Sequence, residues 1–148
     1  MNIINDTDEE IVNAIPIYDI IYEVLKMISP KLLSAEKEMN VVFVDKKTIK
    51  DLNLQFRGKN SETDVLSFSY DDEDDEIFGE VIICPEVIRL QAPDFGNSFE
   101  KELTYMLIHG ILHLAGYEHE NDPEDAKEML TIQEEIFNVI KTKYIDKT

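Results

Sequence analysis

The stretch from Met106 to Asn121 holds all three histidines of the chain, His109, His113 and His119. His109 and His113 are four apart, so on a helix they share one face, a turn from each other, and their rings can converge. Around them the residues are apolar on nearly every side (Leu103, Met106, Leu107, Ile108, Ile111, Leu112). Such a helix has to be buried against other elements. Gly116 follows where a helix needs a left-handed residue to stop and turn. The returning chain then brings His119 back from outside the helix. The chain is therefore expected to fold around a buried helix whose C-terminal end gathers imidazoles.

One histidine on an apolar helix is usually a packed residue with one satisfied hydrogen bond. Three at this spacing, with none elsewhere, favour a metal. Three neutral imidazoles with a fourth position open describe a catalytic zinc site, because structural sites are usually closed by four protein ligands. The expected metal ligands are His109, His113 and His119, around one Zn²⁺. The spacing His-x-x-x-His-x-x-Gly-x-x-His is also that of the metzincin peptidases, which carry Glu directly after the first His as general base. Here that position is Gly110. Without a carboxylate there, the usual zincin route lacks its proton acceptor. A metal-dependent peptidase or amidase stays open only with a base from elsewhere, Glu118 and Glu120 being the acids near the motif.

At 148 residues the chain is long enough for one domain, 1–148, with a single core. The N-terminus has no positive region leading into an apolar run, so no secretory signal is expected. No stretch approaches the roughly 20 apolar residues of a spanning helix. Cys84 is the only cysteine. It reads as a buried thiol in a reducing, cytoplasmic setting. The net charge of −18 speaks against general nucleic-acid affinity, DNA included, since phosphate binding draws on Lys and Arg. The charge is uneven, however. Lys46, Lys47, Lys50, Arg57 and Lys59 cluster just before the acidic run 71–76, which reads as a solvated loop.

Taken in order, residues 2–5 suit a short strand. Pro16 suits the first turn of a helix with apolar residues at Ile17, Ile20, Ile21, Val24, Leu25 and Ile28, and Pro30 ends or kinks it. Asn40 to Asp45 predicts a strand, after which Asp45 caps a helix through about Gln55 with Gly58 as its stop. Thr63 to Tyr70 alternates as a half-buried strand and pairs with Ile77 to Cys84 as a hairpin. Pro85 opens a short helix. Asn97 with Glu100 suggests a capping pair for the histidine helix. Asp122-Pro123 starts a last helix facing inward with Met129, Leu130, Ile132, Ile136, Phe137 and Ile140. This order predicts an α+β fold: one mixed sheet of about four strands packed with helices, the His-x₃-His helix at its centre.

Residues 109–119, His-Gly-Ile-Leu-His-Leu-Ala-Gly-Tyr-Glu-His, resemble the signature of the bacterial YbeY family of metal-dependent endoribonucleases. Leu52 to Phe68 and Gly79 to Pro85 match two further blocks of that family in its order and spacing, and the resemblance spans about residues 40 to 135. Glu80 and Glu118 stand where the family's pattern favours Asp, with the charge kept. The resemblance implies a three-histidine zinc site at His109, His113 and His119, and a functional arginine at Arg57, with Arg57 and His113 as the catalytic residues. It also implies single-stranded RNA as substrate, with roles in ribosomal RNA maturation and ribosome quality control. Ribosomal proteins and an assembly GTPase are the implied partners.

The chemistry of the residues fits that implication. Arg57 presents a planar fork of donors suited to a phosphate, though it could equally be a surface arginine paired with an acid. Lys59 is a weaker candidate for backbone contact. Ser67 and Asp64 could line the cleft, while Asp64 could equally brace a turn or a histidine. The segment Lys46–Lys59 is expected to line the RNA path. A non-catalytic ribosome-associated protein with a stabilising zinc is the remaining alternative.

Overall fold

The computed structural model describes residues 1–11, 14–34, 37–70, 76–117 and 122–146. The elements are β1 (Asn2–Asn5), α1 (Ile17–Ile28), α2 (Pro30–Ser34), β2 (Glu38–Phe43), α3 (Lys46–Arg57), β3 (Val65–Ser69), β4 (Ile77–Ile83), α4 (Pro85–Gln91), α5 (Phe99–Leu114) and α6 (Pro123–Ile140). A 3₁₀ turn (Ala92–Phe95) and a π-helical turn (Lys141–Ile145) complete them.

The four strands form one mixed sheet in the order β1-β2-β4-β3. β1 and β2 run parallel, as do β2 and β4, while β3 and β4 pair antiparallel as the expected hairpin. Strand side chains alternate between faces, and this alternation sorts the core. Val41, Phe43, Val81 and Ile83 point to one face and join buried residues of α1, α5 and α6. Val44, Leu66, Ile82 and Cys84 point to the other and close over Ile49 of α3. Burial pushes the Cys84 thiol up, as expected of an inert core cysteine. Helices thus cover both faces, and β3 is left as an edge strand.

Helix ends follow local chemistry. Asp45 accepts a hydrogen bond from the Thr48 N–H at 2.8 Å. Gly58, at φ 69°, stops α3 in the left-handed region, which glycine enters without strain. Gly116 does the same after α5, at φ 97°. Two expectations are corrected. The cap of α5 is Ser98, whose Oγ accepts from Lys101 N–H at 3.2 Å, whereas Asn97 turns its amide to Glu102. On α6 Leu130 faces out, 54 % exposed, because Met129 one position earlier takes the inward stripe and the next residue lies about 100° round the helix. Pro30 does end α1, at Ile28, and opens α2. Among the described residues no helix is long and apolar enough to cross a membrane.

α5 is the central element. It lies against β3, β4, α1, α4 and α6, with Leu103, Leu107, Ile108, Ile111 and Leu112 at most 1 % exposed. Each such side chain contributes about 1.5–3 kcal/mol on burial. The close approach of α5 to the sheet needs Gly110. A Cβ there would stand 2.7 Å from Val81 Cγ1 and 3.3 Å from Val65 Cγ2.

Candidate active site

The C-terminal half of α5, the end of α3 and the outer strand β3 enclose a cleft of about 360 Å³, lined among others by Asn53, Arg57, Lys59, Asp64, Ser67, His109 and His113. His109 and His113 come from one helix face. Their Nε2 atoms lie 3.1 Å apart, with ring centroids at 4.6 Å and planes at 77°. Two facing lone pairs at that distance repel unless a proton or a cation lies between them. Two nitrogens bound tetrahedrally to one zinc at about 2.0–2.1 Å stand roughly 3.3–3.4 Å apart, so donors and spacing fit such an ion. Among the described residues no third histidine, cysteine or carboxylate completes a metal-holding group. The third expected ligand, His119, lies outside the described residues, as do Glu118 and Glu120.

His109 is held from behind. Its Nδ1 lies 3.0 Å from Oε1 of Gln133 on α6, and the Gln133 amide N–H donates to the Tyr105 carbonyl at 3.3 Å. Gln133 is 3 % exposed. Periodicity had passed it over, although a polar residue inside the stripe Met129–Ile136–Phe137–Ile140 was a signal. Beside it the Tyr105 hydroxyl donates to Glu134 at 2.8 Å. Burial and that carboxylate hold the phenol well above its ordinary range.

Arg57 extends from the last turn of α3 around the edge of the sheet, where its Nη2 donates to the Ser67 carbonyl at 3.3 Å. That bond suits an edge strand, whose outward carbonyls lack a ladder partner. Ser67 turns its hydroxyl the other way and donates to the Gly110 carbonyl at 3.0 Å. A single residue of β3 therefore ties the arginine side of the cleft to the histidine helix. Asn53, 3 % exposed, pins the intervening loop by donating to the Ser61 carbonyl at 3.0 Å.

Asp64 braces its turn rather than a histidine: Oδ1 accepts from Val65 N–H at 2.8 Å and Oδ2 from Gln91 Nε2 at 2.9 Å. Gln91 also donates to Glu102 at 3.0 Å, and Asn97 to the other Glu102 oxygen at 2.9 Å. The buried Glu102 carboxylate thus finds its partners in two amides, a group that the sequence reading missed. Of the basic segment, Arg57 and Lys59 line the cleft, whereas Lys46 lines a separate hollow.

Gly110 also bears on the peptidase alternative. Its Cα points at the sheet, so a glutamate there would drive its first carbon into Val81 and within 3.2 Å of Ser67 Oγ. This helix position has no room for the zincin base.

The family model described as Endoribonuclease YbeY matches residues 2–141, almost the whole chain. The chain belongs to the YbeY family. The match takes in the N-terminal forty residues, where the sequence offered no motif. The Endoribonuclease YbeY of Petrotoga mobilis is 44 % identical over 138 residues, covering 93 % of each chain. That of Bdellovibrio bacteriovorus is 47 % identical over 116 residues, covering 76 % of each. The solution structure of TM1509 from Thermotoga maritima is similar at a TM-score of 0.62 and 37 % identity, covering 97 % of this chain and 91 % of that one. In this YbeY-family chain the matched span includes Arg57, His109, His113 and Gln133.

Proposed function

We propose that this chain is a zinc-dependent endoribonuclease that cuts single-stranded RNA in the cytoplasm, in ribosomal RNA maturation and ribosome quality control. The observation that carries the reading is the facing pair of imidazole nitrogens, 3.1 Å apart, in one cleft with Arg57. Membership of a family whose relatives are named endoribonucleases supports it.

His109, His113 and His119 would hold the ion. When bound, Zn²⁺ lowers the pKa of a water and polarises a phosphoryl oxygen. Arg57 binds and orients. One N–H of its fork is engaged by the Ser67 carbonyl, which fixes the plane of the guanidinium and directs further N–H groups to phosphate oxygens, where they stabilise charge that builds up during cleavage. Lys59 adds a cation on the same wall. The half-buried cleft strengthens these interactions relative to open water. Ribosomal proteins or an assembly GTPase that deliver the RNA would reconcile this activity with the net charge of −18.

The test is cleavage of one labelled RNA presented single-stranded and as a duplex. The single strand is expected to be cut and the duplex spared, with Arg57→Ala slowing cleavage by about 10²–10³-fold. Equal cleavage of both forms, or an Arg57→Ala protein at the wild-type rate, would overturn the proposal.

A further inference from the structure

We propose that Gln133 sets the tautomer of His109, keeping the proton on Nδ1 and the Nε2 lone pair aimed into the cleft. The inference rests on the reading of His109 as a metal ligand but is carried by its own geometry. Gln133 is a buried polar residue on an otherwise apolar helix face, and both ends of its amide are engaged. The Tyr105 carbonyl can only accept, so the NH₂ group faces it. Oε1 therefore faces His109 Nδ1 at 3.0 Å, and since that oxygen can only accept, Nδ1 has to carry the hydrogen. A neutral imidazole has one N–H, which leaves Nε2 bare and 3.1 Å from His113 Nε2.

Partners of this kind behind a ligating histidine fix its ring and raise its basicity. Gln133 is thus a positioning residue, supplied by α6 to a site built on α5. The helices are also joined at the same level without it, through the Tyr105–Glu134 hydrogen bond and the packing of the Tyr105 and Phe137 rings at 5.1 Å. Removing the amide need not separate them.

The experiment compares wild type, Gln133→Leu and Gln133→Glu. Leucine keeps the bulk and removes both hydrogen bonds, whereas glutamate keeps the acceptor for Nδ1–H. Long-range ¹H–¹⁵N spectra of metal-free protein above the histidine pKa report each tautomer directly, and thermal unfolding reports folding. Wild type and Gln133→Glu are expected to show Nδ1–H at His109, and Gln133→Leu to gain the Nε2–H form. Zinc affinity, measured by chelator competition, is expected to fall roughly 10–100-fold in Gln133→Leu and much less in Gln133→Glu. A folded Gln133→Leu protein with the wild-type tautomer and affinity would overturn the proposal. Should leucine prevent folding, Nδ1 found unprotonated in wild type or in Gln133→Glu would overturn it equally. Wild type that holds the Nδ1–H form yet binds no zinc would sink the metal reading of the site and leave the tautomer assignment standing.

Discussion

The hollow beside β1, at about 590 Å³, is larger than the histidine cleft at about 360 Å³, and the two are built differently. In the larger, Asp6, Asp8, Glu9, Asp45 and Glu86 outnumber Lys46 and Arg89. Two of its charged groups already have work: Arg89 pairs with Glu9 and lies over the Phe99 ring at 4.3 Å, and Asp45 caps α3. In the smaller cleft, side chains from α3, β3 and α5 converge, and the residues behind them fix their direction. Gln133 holds His109, and Ser67 holds Arg57 and contacts the Gly110 carbonyl. What distinguishes the cleft is groups held in place by others, and volume is a poor guide to it.

The sharpest way to break this contrast is to remove one group from each hollow. His113→Ala is expected to drop RNA cleavage to background, whereas Arg89→Ala should leave the rate nearly unchanged, because Arg89 lines the other hollow and pairs with Glu9 there. Both are read in the same RNA assay, and the opposite pattern would move the active site to the larger hollow.

A smaller effect concerns the joint between α5 and the sheet. Gly110→Ala puts a methyl 2.7 Å from a stiff valine branch. Overpacking of this kind costs about 1–3 kcal/mol, or a fall in Tm of roughly 2–4 °C per kcal/mol for a chain of this size. Scanning calorimetry would show it. An unchanged Tm would mean that α5 can shift away from β4 at no cost.

The smallest expected effect lies outside both hollows. Glu23 is held below its ordinary value of 4.5, chiefly by the Lys143 ammonium that donates to it at 2.6 Å. A depressed carboxyl contributes stability above its unfolded pKa and loses it as pH falls through the folded one. Glu23→Gln should therefore flatten the acid limb of the Tm–pH curve as pH falls through and below the ordinary value of 4.5. The difference should be slight, and smaller still in high salt, because the pair is exposed. A large salt-independent change would contradict it.

Much of this was legible in the sequence, for local reasons. The alternation that sends Val41 and Phe43 one way and Val44 the other lies in strand periodicity. Asp45 marks a helix start by its side-chain acceptor, and Gly58 and Gly116 mark helix ends by their backbone freedom. The His109–His113 spacing places both rings on one face whatever surrounds the helix. What escaped was set by distant partners. Gln133 meets His109 from 24 residues away, and the Asp64–Gln91 bond spans 27. Nothing local in the sequence marks Glu102 out, and only packing by α4 and the turn after it brings up the amides that hold it. The parallel neighbours β1 and β2, like the place of β3 at the edge, follow from long-range pairing that no window of sequence contains.

The most direct test of the central claim is a zinc titration of metal-free protein, with bound metal and cleavage of a defined single-stranded RNA read in the same samples. The account predicts one ion per chain, with cleavage rising in proportion to occupancy and both lost in His113→Ala. Metal-free protein that cuts the RNA as fast as the loaded form would contradict it.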